Sequence, residues 1–159
     1  MEEVYIKQIE EWTNRKVGNI LFDSDKDDWN VNKSVFDQRI MNKEHIIIII
    51  EDEEGNKFGG YVNSKIDEVD DCIYDPYAFK FDIEYPQYAF YLYKQSCDCL
   101  FKFGCGYGSD SRVFKENYKT QSYCYQQDVF SYKGISNALC GKEYPNSFTP
   151  TRIIVIEMK

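Results

Sequence analysis

The sequence predicts a β-rich α+β domain, built as a two-sheet antiparallel β-sandwich with a few flanking helices. Short segments rich in β-branched and aromatic residues recur along the chain, and turn residues such as Gly, Pro, Asn and Asp separate them. Aromatic residues make up 17% of the chain, with 14 Tyr and 11 Phe, which suits strands better than a helical bundle. A length of 159 residues is sufficient for one domain with its own core.

The charge and the composition disfavour several classes of protein. The formal net charge of −8 opposes non-specific attraction to nucleic acid or to an anionic membrane. No window is long and apolar enough for a transmembrane helix, and the acidic N-terminal segment is unlike a signal peptide. We therefore expect a cytoplasmic protein, with the nucleus as an alternative, in which the six cysteines are reduced.

The N-terminal segment predicts an amphipathic helix over residues 2–13. Tyr5, Ile9 and Trp12 are spaced at i, i+4 and i+7, which places them on one helical face. We expect residues 1–17 to pack as a helical segment on the domain formed by residues 18–159.

An acidic loop follows the strand predicted at residues 20–22. Asp23, Asp25 and Asp27 alternate as at the start of an EF-hand, but Asp28 and Ser34 stand where that loop needs Gly and Glu. The sequence therefore favours a solvated turn over a calcium site. A helix capped by Asn32 or Ser34 is then expected through residue 41.

The central hairpin is predicted at residues 45–61. Five consecutive isoleucines, 46–50, are typical of a strand that is buried on both faces. The acidic turn 51–54 and Gly55-Asn56 reverse the chain, which returns through Phe58-Gly59-Gly60-Tyr61.

The rest of the chain predicts further short strands and their turns. Strands are expected where apolar residues alternate with polar ones, at 77–82, 90–94, 99–103, 122–130 and 152–157. An acidic surface turn is expected at 67–71, and Gln95-Ser96 is expected to connect two strands.

The order of these motifs resembles the TLDc domain, the module of the oxidation-resistance proteins and of the nuclear-receptor coactivator 7 group. The resemblance covers roughly residues 18–158, and its most specific parts are the strand–turn–Phe-Gly-Gly unit and the terminal apolar strand that ends at Glu157. The matching motif positions are Gly59, Gly60, Gly104, Gly106 and Glu157. The chain departs from the family pattern at Tyr77, Cys105, Tyr107 and Met158.

The resemblance implies a non-catalytic interaction module in oxidative-stress protection. It also implies binding to the peripheral stalk and catalytic head of the vacuolar-type proton ATPase, and regulation of that pump. Acidic loops would steer the domain to a basic partner surface. The candidate partner-binding residues are Asp23, Asp25, Asp27, Glu51, Glu53 and Glu54. The resemblance implies no cofactor.

The cysteines are the best candidates for chemistry. Cys97 and Cys99 lie close to Lys94 and Lys102, whose charge would lower a thiol pKa, so a redox role is favoured over a structural zinc site. Their C-x-C spacing is unlike that of common zinc sites, so no metal is predicted. Buried, inert cysteines remain the simpler interpretation.

Two alternative functions remain open from the sequence. A thiol-based enzyme or sensor would use Cys97 or Cys99. A transcription-associated or DNA-binding factor would use the basic residues that mix with tyrosines, namely Arg112, Lys115, Lys119 and Lys133. A conventional catalytic site is not predicted, because His45 is the one histidine and no Ser lies in a G-x-S-x-G motif.

Overall fold

The structure is a computed structural model that describes residues 3–74, 79–80, 89–103, 111–124 and 146–159. These residues form two antiparallel sheets with peripheral helices, which confirms the predicted β-sandwich. The helices are α1 (Glu3–Thr13), α2 (Phe36–Ile40) and a 3-10 helix (Glu116–Gln121). The strands are β1 (Val17–Asp23), β2 (Ile46–Asp52), β3 (Lys57–Val62), β4 (Cys72–Tyr74), β5 (Phe79–Lys80), β6 (Ala89–Leu92), β7 (Cys99–Phe103), β8 (Ser111–Phe114), β9 (Tyr123–Cys124), β10 (Asn146–Ser147) and β11 (Pro150–Met158).

The two sheets bring distant parts of the chain together. The five-stranded sheet has the order β1-β11-β2-β3-β5, and the six-stranded sheet has the order β10-β9-β8-β7-β6-β4. The terminal strand β11 therefore lies between β1 and β2, with Ile154 opposite Ile49 on one side and Asp23 on the other. The predicted terminal strand thus holds the N-terminal and central parts of this sheet together.

The isoleucine run is buried on both faces, as its composition predicts. Ile46, Ile48 and Ile50 belong to the core between the two sheets. Ile47 and Ile49 point to the outer face, where they join a second apolar cluster that contains Ile9 of α1. The helix α1 therefore covers part of the outer face of the five-stranded sheet.

Aromatic rings fill the space between the sheets. The Phe36 ring of α2 stacks on Phe101 of β7 with 5.4 Å between centroids. At Gly60 an added Cβ atom would lie 2.5 Å from the Phe103 ring, so only glycine allows the two sheets to approach this closely. The Phe-Gly-Gly motif thus has a packing reason.

The structure corrects several predicted boundaries. The helix α2 has five residues and its N-cap is Val35, so neither predicted cap holds that position. Asn32 has a left-handed φ of 64°, and Ser34 accepts the Phe36 N–H through its Oγ over 3.2 Å. The strand β6 ends at Leu92, and strands β4, β8 and β10 were not predicted. Parts of two predicted strands lie outside the described residues, namely 77–78, 81–82 and 125–130.

Candidate functional site

The two acidic loops converge at one end of the five-stranded sheet. The first loop begins where β1 ends, at Asp23, and the second joins β2 to β3. The start of β11 lies between them, because Arg152 is opposite Glu51 in β2 and the Ser24 N–H donates to the Ile153 carbonyl over 2.9 Å. We call residues 23–28 and 51–54, together with Arg152, the acidic end.

Arg152 organises the acidic end through its guanidinium. Its Nε donates to Asp23 Oδ1 over 3.2 Å, and its Nη2 donates to Asp23 Oδ2 over 2.9 Å. The two side chains therefore form a bidentate pair. The same Nε lies 3.2 Å from Asp25 Oδ2. The hydrogen bond from Arg152 lowers the pKa of Asp23, helped by the Asp25 N–H and opposed by burial. Asp23 is buried, and its carboxylate is bonded within the protein, so it is not available to a partner.

Asp27 closes the loop on itself. Its Oδ2 accepts the Asp23 N–H over 2.9 Å, and its Oδ1 lies 3.3 Å from the Arg39 guanidinium. The carboxylates that an EF-hand-like ion would need are thus bonded to arginines and to backbone N–H groups. In the first loop, Asp25 and Asp28 are the carboxylates exposed to solvent.

The second loop is shaped by Asp52, which the sequence analysis missed. Its buried carboxylate accepts the N–H groups of Glu54 and Asn56 over 2.9 and 2.8 Å, and the Asn56 side-chain amide over 3.1 Å. An aspartate at the start of a turn, whose carboxylate can accept the N–H group two residues further on, is the signal that would have revealed this role. Glu53 accepts the Thr149 N–H over 2.8 Å, and both Glu53 and Glu54 are exposed.

A small depression on the outer face adjoins the acidic end. The register places Glu51 between Arg152 and Lys57 on neighbouring strands, and Ile49 lies in the next row opposite Ile154. These residues, with Ile20 of β1, line a space of about 120 Å³. Ile20 is 61% exposed, so an apolar side chain stands open beside the charged rim.

Lys115 is the most unusual charged residue in the described part of the chain, because it is 1% exposed. Its ammonium donates to the carbonyls of Lys94 and Gln95 over 3.0 and 2.6 Å, and also to the Cys97 carbonyl. Burial lowers its pKa, and nearby acidic groups and thiols, Cys97 first among them, oppose that effect. Lys115 therefore holds the hairpin loop between β6 and β7.

The cysteine cluster lies in that hairpin loop. The Cys97 and Cys99 thiols each donate to Asp98 Oδ1, over 3.5 and 3.6 Å. Burial raises the pKa of Cys99 to about 12, with Asp98 adding to the effect and Arg112 opposing it. The lowering of the thiol pKa expected from Lys94 and Lys102 is therefore not found at Cys99, where burial and the Asp98 carboxylate raise the pKa.

The six cysteines are not all reduced, contrary to the expectation from the sequence. Cys72 is disulfide-bonded, whereas Cys97 and Cys99 carry free thiols.

The basic residues proposed for nucleic-acid binding do not form one exposed patch. Lys115 is buried, and the Arg112 guanidinium lies 5.9 Å from the ring centroids of both Tyr93 and Tyr123. Lys133 lies outside the described residues.

His45 has a structural setting at the start of β2. Its Nδ1 lies 3.0 Å from Asn63 Oδ1 and 3.3 Å from the Tyr61 hydroxyl. Its backbone adopts a φ of 54°, and its carbonyl accepts the Met158 N–H over 2.7 Å. These bonds connect β2, β3 and β11 at the end of the sheet opposite the acidic end.

The described family-motif residues contribute to packing and to the sheet end. A Cβ atom at Gly59 would lie 1.8 Å from the Ile48 carbonyl oxygen, so the close approach of β2 and β3 requires glycine there. The Glu157 carboxylate lies 3.5 Å from the Lys43 ammonium. Gly104 and Gly106 lie outside the described residues.

The fold is an antiparallel β-sandwich of two sheets with peripheral helices. The sequence model of the TLDc domain matches residues 2–130, so the chain belongs to the TLDc domain family. This match begins inside the segment preceding residue 18 and ends before β11, so it differs from the range predicted above. No curated protein matches the chain. In the described part of the chain, no helix is long and apolar enough to cross a membrane.

Proposed function

We propose that this TLDc domain is a non-catalytic interaction module in oxidative-stress protection, and that its acidic end binds a basic surface of the vacuolar-type proton ATPase in the cytoplasm. The observation that carries the proposal is the convergence of two sequence-distant acidic loops beside an open apolar depression. The choice of partner rests on membership of the family.

The division of roles within the acidic end supports a docking surface. Asp23, Asp27 and Asp52 are bonded within the protein and fix the two loops. Asp25, Asp28, Glu53 and Glu54 are exposed at the ends of those fixed loops. A charged surface held in place before binding loses little conformational entropy on association, and it attracts an oppositely charged partner from a distance.

The depression supplies the apolar component that an interface needs. Charged rims mainly affect the association rate and specificity, whereas buried apolar anchors provide much of the affinity. Ile20 and Ile154 offer such a surface next to the carboxylates. A partner with a basic patch and one projecting apolar side chain would match this arrangement.

Native affinity capture from the protein's own cells, with mass spectrometry before and after peroxide, tests the choice of partner. Recovery of peripheral-stalk or catalytic-head subunits of the pump is the expected result. Recovery of chromatin proteins instead, or of no pump subunit, would contradict the proposal, and chromatin proteins would favour the transcription-associated alternative.

A pair of variants tests the surface itself. Asp25→Asn with Glu54→Gln removes two exposed charges at the acidic end and should weaken pump binding by roughly tenfold at moderate salt. Asp67→Asn with Glu68→Gln removes two charges from the acidic turn before β4 and serves as the matched control. Equal binding by the two double variants would show that total charge, and not this surface, is responsible.

A further inference from the structure

We infer that Cys97, Asp98 and Cys99 form a binding site for a thiophilic divalent cation, with Zn²⁺ as the ion that their geometry fits best. The site lies in the hairpin between β6 and β7, in the six-stranded sheet, and is independent of the acidic end. It also departs from the expectation that the C-x-C spacing disfavours a metal.

The three candidate ligand atoms lie close together. The two sulfur atoms and the carboxylate oxygen all lie within 4.8 Å of one another. In a tetrahedral zinc site, Zn–S bonds of about 2.3 Å and Zn–O bonds of about 2.0 Å place sulfur about 3.5 Å from oxygen. The observed separations of Asp98 Oδ1 from the Cys97 and Cys99 sulfurs are 3.5 and 3.6 Å. Both sulfur–oxygen separations therefore already match those of a tetrahedral zinc site.

The backbone of this tripeptide is held from both sides by Lys115. The Lys115 ammonium binds the Cys97 carbonyl, and the Lys115 N–H donates to the Asp98 carbonyl over 2.8 Å. Cys99 begins β7, opposite Phe114 in β8. A ligand set on a fixed backbone loses less conformational entropy when a metal binds, which strengthens a site with only three protein ligands.

The charges at the site can be balanced. Binding replaces the two thiol protons, which are released to solvent, so two thiolates and one carboxylate carry three negative charges. A divalent ion leaves one negative charge next to the buried ammonium of Lys115. Thiolates select Zn²⁺ over the oxygen-preferring Mg²⁺ and Ca²⁺.

The exposure of the three residues predicts an open fourth position. Cys99 is buried, Cys97 is half-buried and Asp98 is exposed, so the ion would be reached from the Asp98 side. Sites with three protein ligands and one exchangeable ligand differ from the closed four-ligand sites that only stabilise a fold. We therefore expect water or a small solvent-borne ligand to complete the coordination.

Metal titration of the full, metal-stripped protein tests the site directly. Zn²⁺, in competition with a chromophoric chelator, should bind one ion per chain, and Co²⁺ should give the absorption of a tetrahedral thiolate complex. Cys97→Ser and Cys99→Ser should each weaken Zn²⁺ binding by roughly 100-fold or more, and Asp98→Asn by roughly tenfold.

Two controls separate this site from general thiol affinity. Asp67→Asn removes an exposed carboxylate elsewhere and should keep the wild-type Zn²⁺ affinity. The double variant Cys97→Ser with Cys99→Ser keeps every other cysteine and should lose the Zn²⁺ site. Unchanged affinity in Cys97→Ser, Zn²⁺ binding retained by the double variant, or a Co²⁺ spectrum without thiolate bands would overturn the inference. Circular dichroism of each variant shows that a lost affinity is not a lost fold.

Discussion

In each sheet one basic side chain fixes a loop, but the groups that bind its charge differ between the two sheets. In the five-stranded sheet, Arg152 pairs with the Asp23 carboxylate, and its side chain is 40% exposed. In the six-stranded sheet, Lys115 is buried, and its ammonium donates to the backbone carbonyls of the loop between β6 and β7. One basic group is neutralised by a partner, and the other is solvated by the protein backbone.

The directions of the pKa changes follow from this difference. The pKa of Arg152 is raised by its hydrogen bond with Asp23, so the ionised form of the pair is favoured in the folded state. The pKa of Lys115 is lowered by burial, so its charged form is disfavoured there. Lys115 thus fixes its loop in spite of a desolvation cost, because three carbonyls would otherwise be left without that donor.

The largest effect is expected for Lys115→Met. Methionine keeps most of the apolar stem but removes the ammonium, so the carbonyls of Lys94, Gln95 and Cys97 lose a charged donor. We expect the free energy of unfolding to fall by about 3 kcal/mol. Chemical denaturation at neutral pH measures the change.

Lys33→Met is the matched control, because Lys33 is exposed. Its effect should stay within about 0.5 kcal/mol. If both methionine variants were equally stable, backbone solvation of a buried ammonium would not contribute to the stability of this fold.

An intermediate effect is expected for Asp23→Asn. The amide keeps the shape of the side chain and loses the charge that binds Arg152. Since Arg152 is partly exposed and its pairing is screened by solvent, we expect a loss of about 1.5 kcal/mol, smaller than at Lys115. Denaturation curves of the two variants, measured side by side, rank the two anchors. The reverse ranking would show that charge pairing matters more here than burial.

The pH dependence sharpens the comparison. The folded-state pKa of Asp23 lies below its unfolded value of about 4, so its stabilisation is present above that pH and is lost as the pH falls through the folded value. The difference in unfolding free energy between wild type and Asp23→Asn should therefore be constant near neutral pH and shrink below about pH 4. Denaturation midpoints of both proteins across this range test it, and a difference that persists at low pH would refute the role of the ion pair.

The sequence predicted those parts of the fold whose residue types are compatible with only one kind of secondary structure and burial. Five β-branched residues in succession predict a strand buried on both faces, and Ile46–Ile50 form one. Short strands with polar residues gave no such signal: β8 contains Ser111 and Arg112, and Arg112 indicated a basic surface instead.

The candidate sites were predicted less completely, because they depend on contacts between distant residues. The acidic loops were recognised, but the burial of Asp23 depends on Arg152, far along the chain. The sequence analysis places Lys115 among basic surface residues, because a lysine is rarely buried unless acceptors are arranged around its ammonium. Here the carbonyls of a hairpin about twenty residues earlier build that site, and no local pattern encodes it.

The smallest effect on stability is expected for Asp25→Asn. Asp25 is the second carboxylate beside Arg152, but its side chain is 56% exposed, so water replaces much of what the ion pair provides. We expect the free energy of unfolding to change by no more than about 0.5 kcal/mol. Chemical denaturation checks this value, and pump binding is then measured on a protein that is fully folded. An aspartate that weakens binding without affecting stability would separate the exposed carboxylates of the acidic end from the buried ones. A loss as large as that of Asp23→Asn would instead make Asp25 part of the same structural anchor.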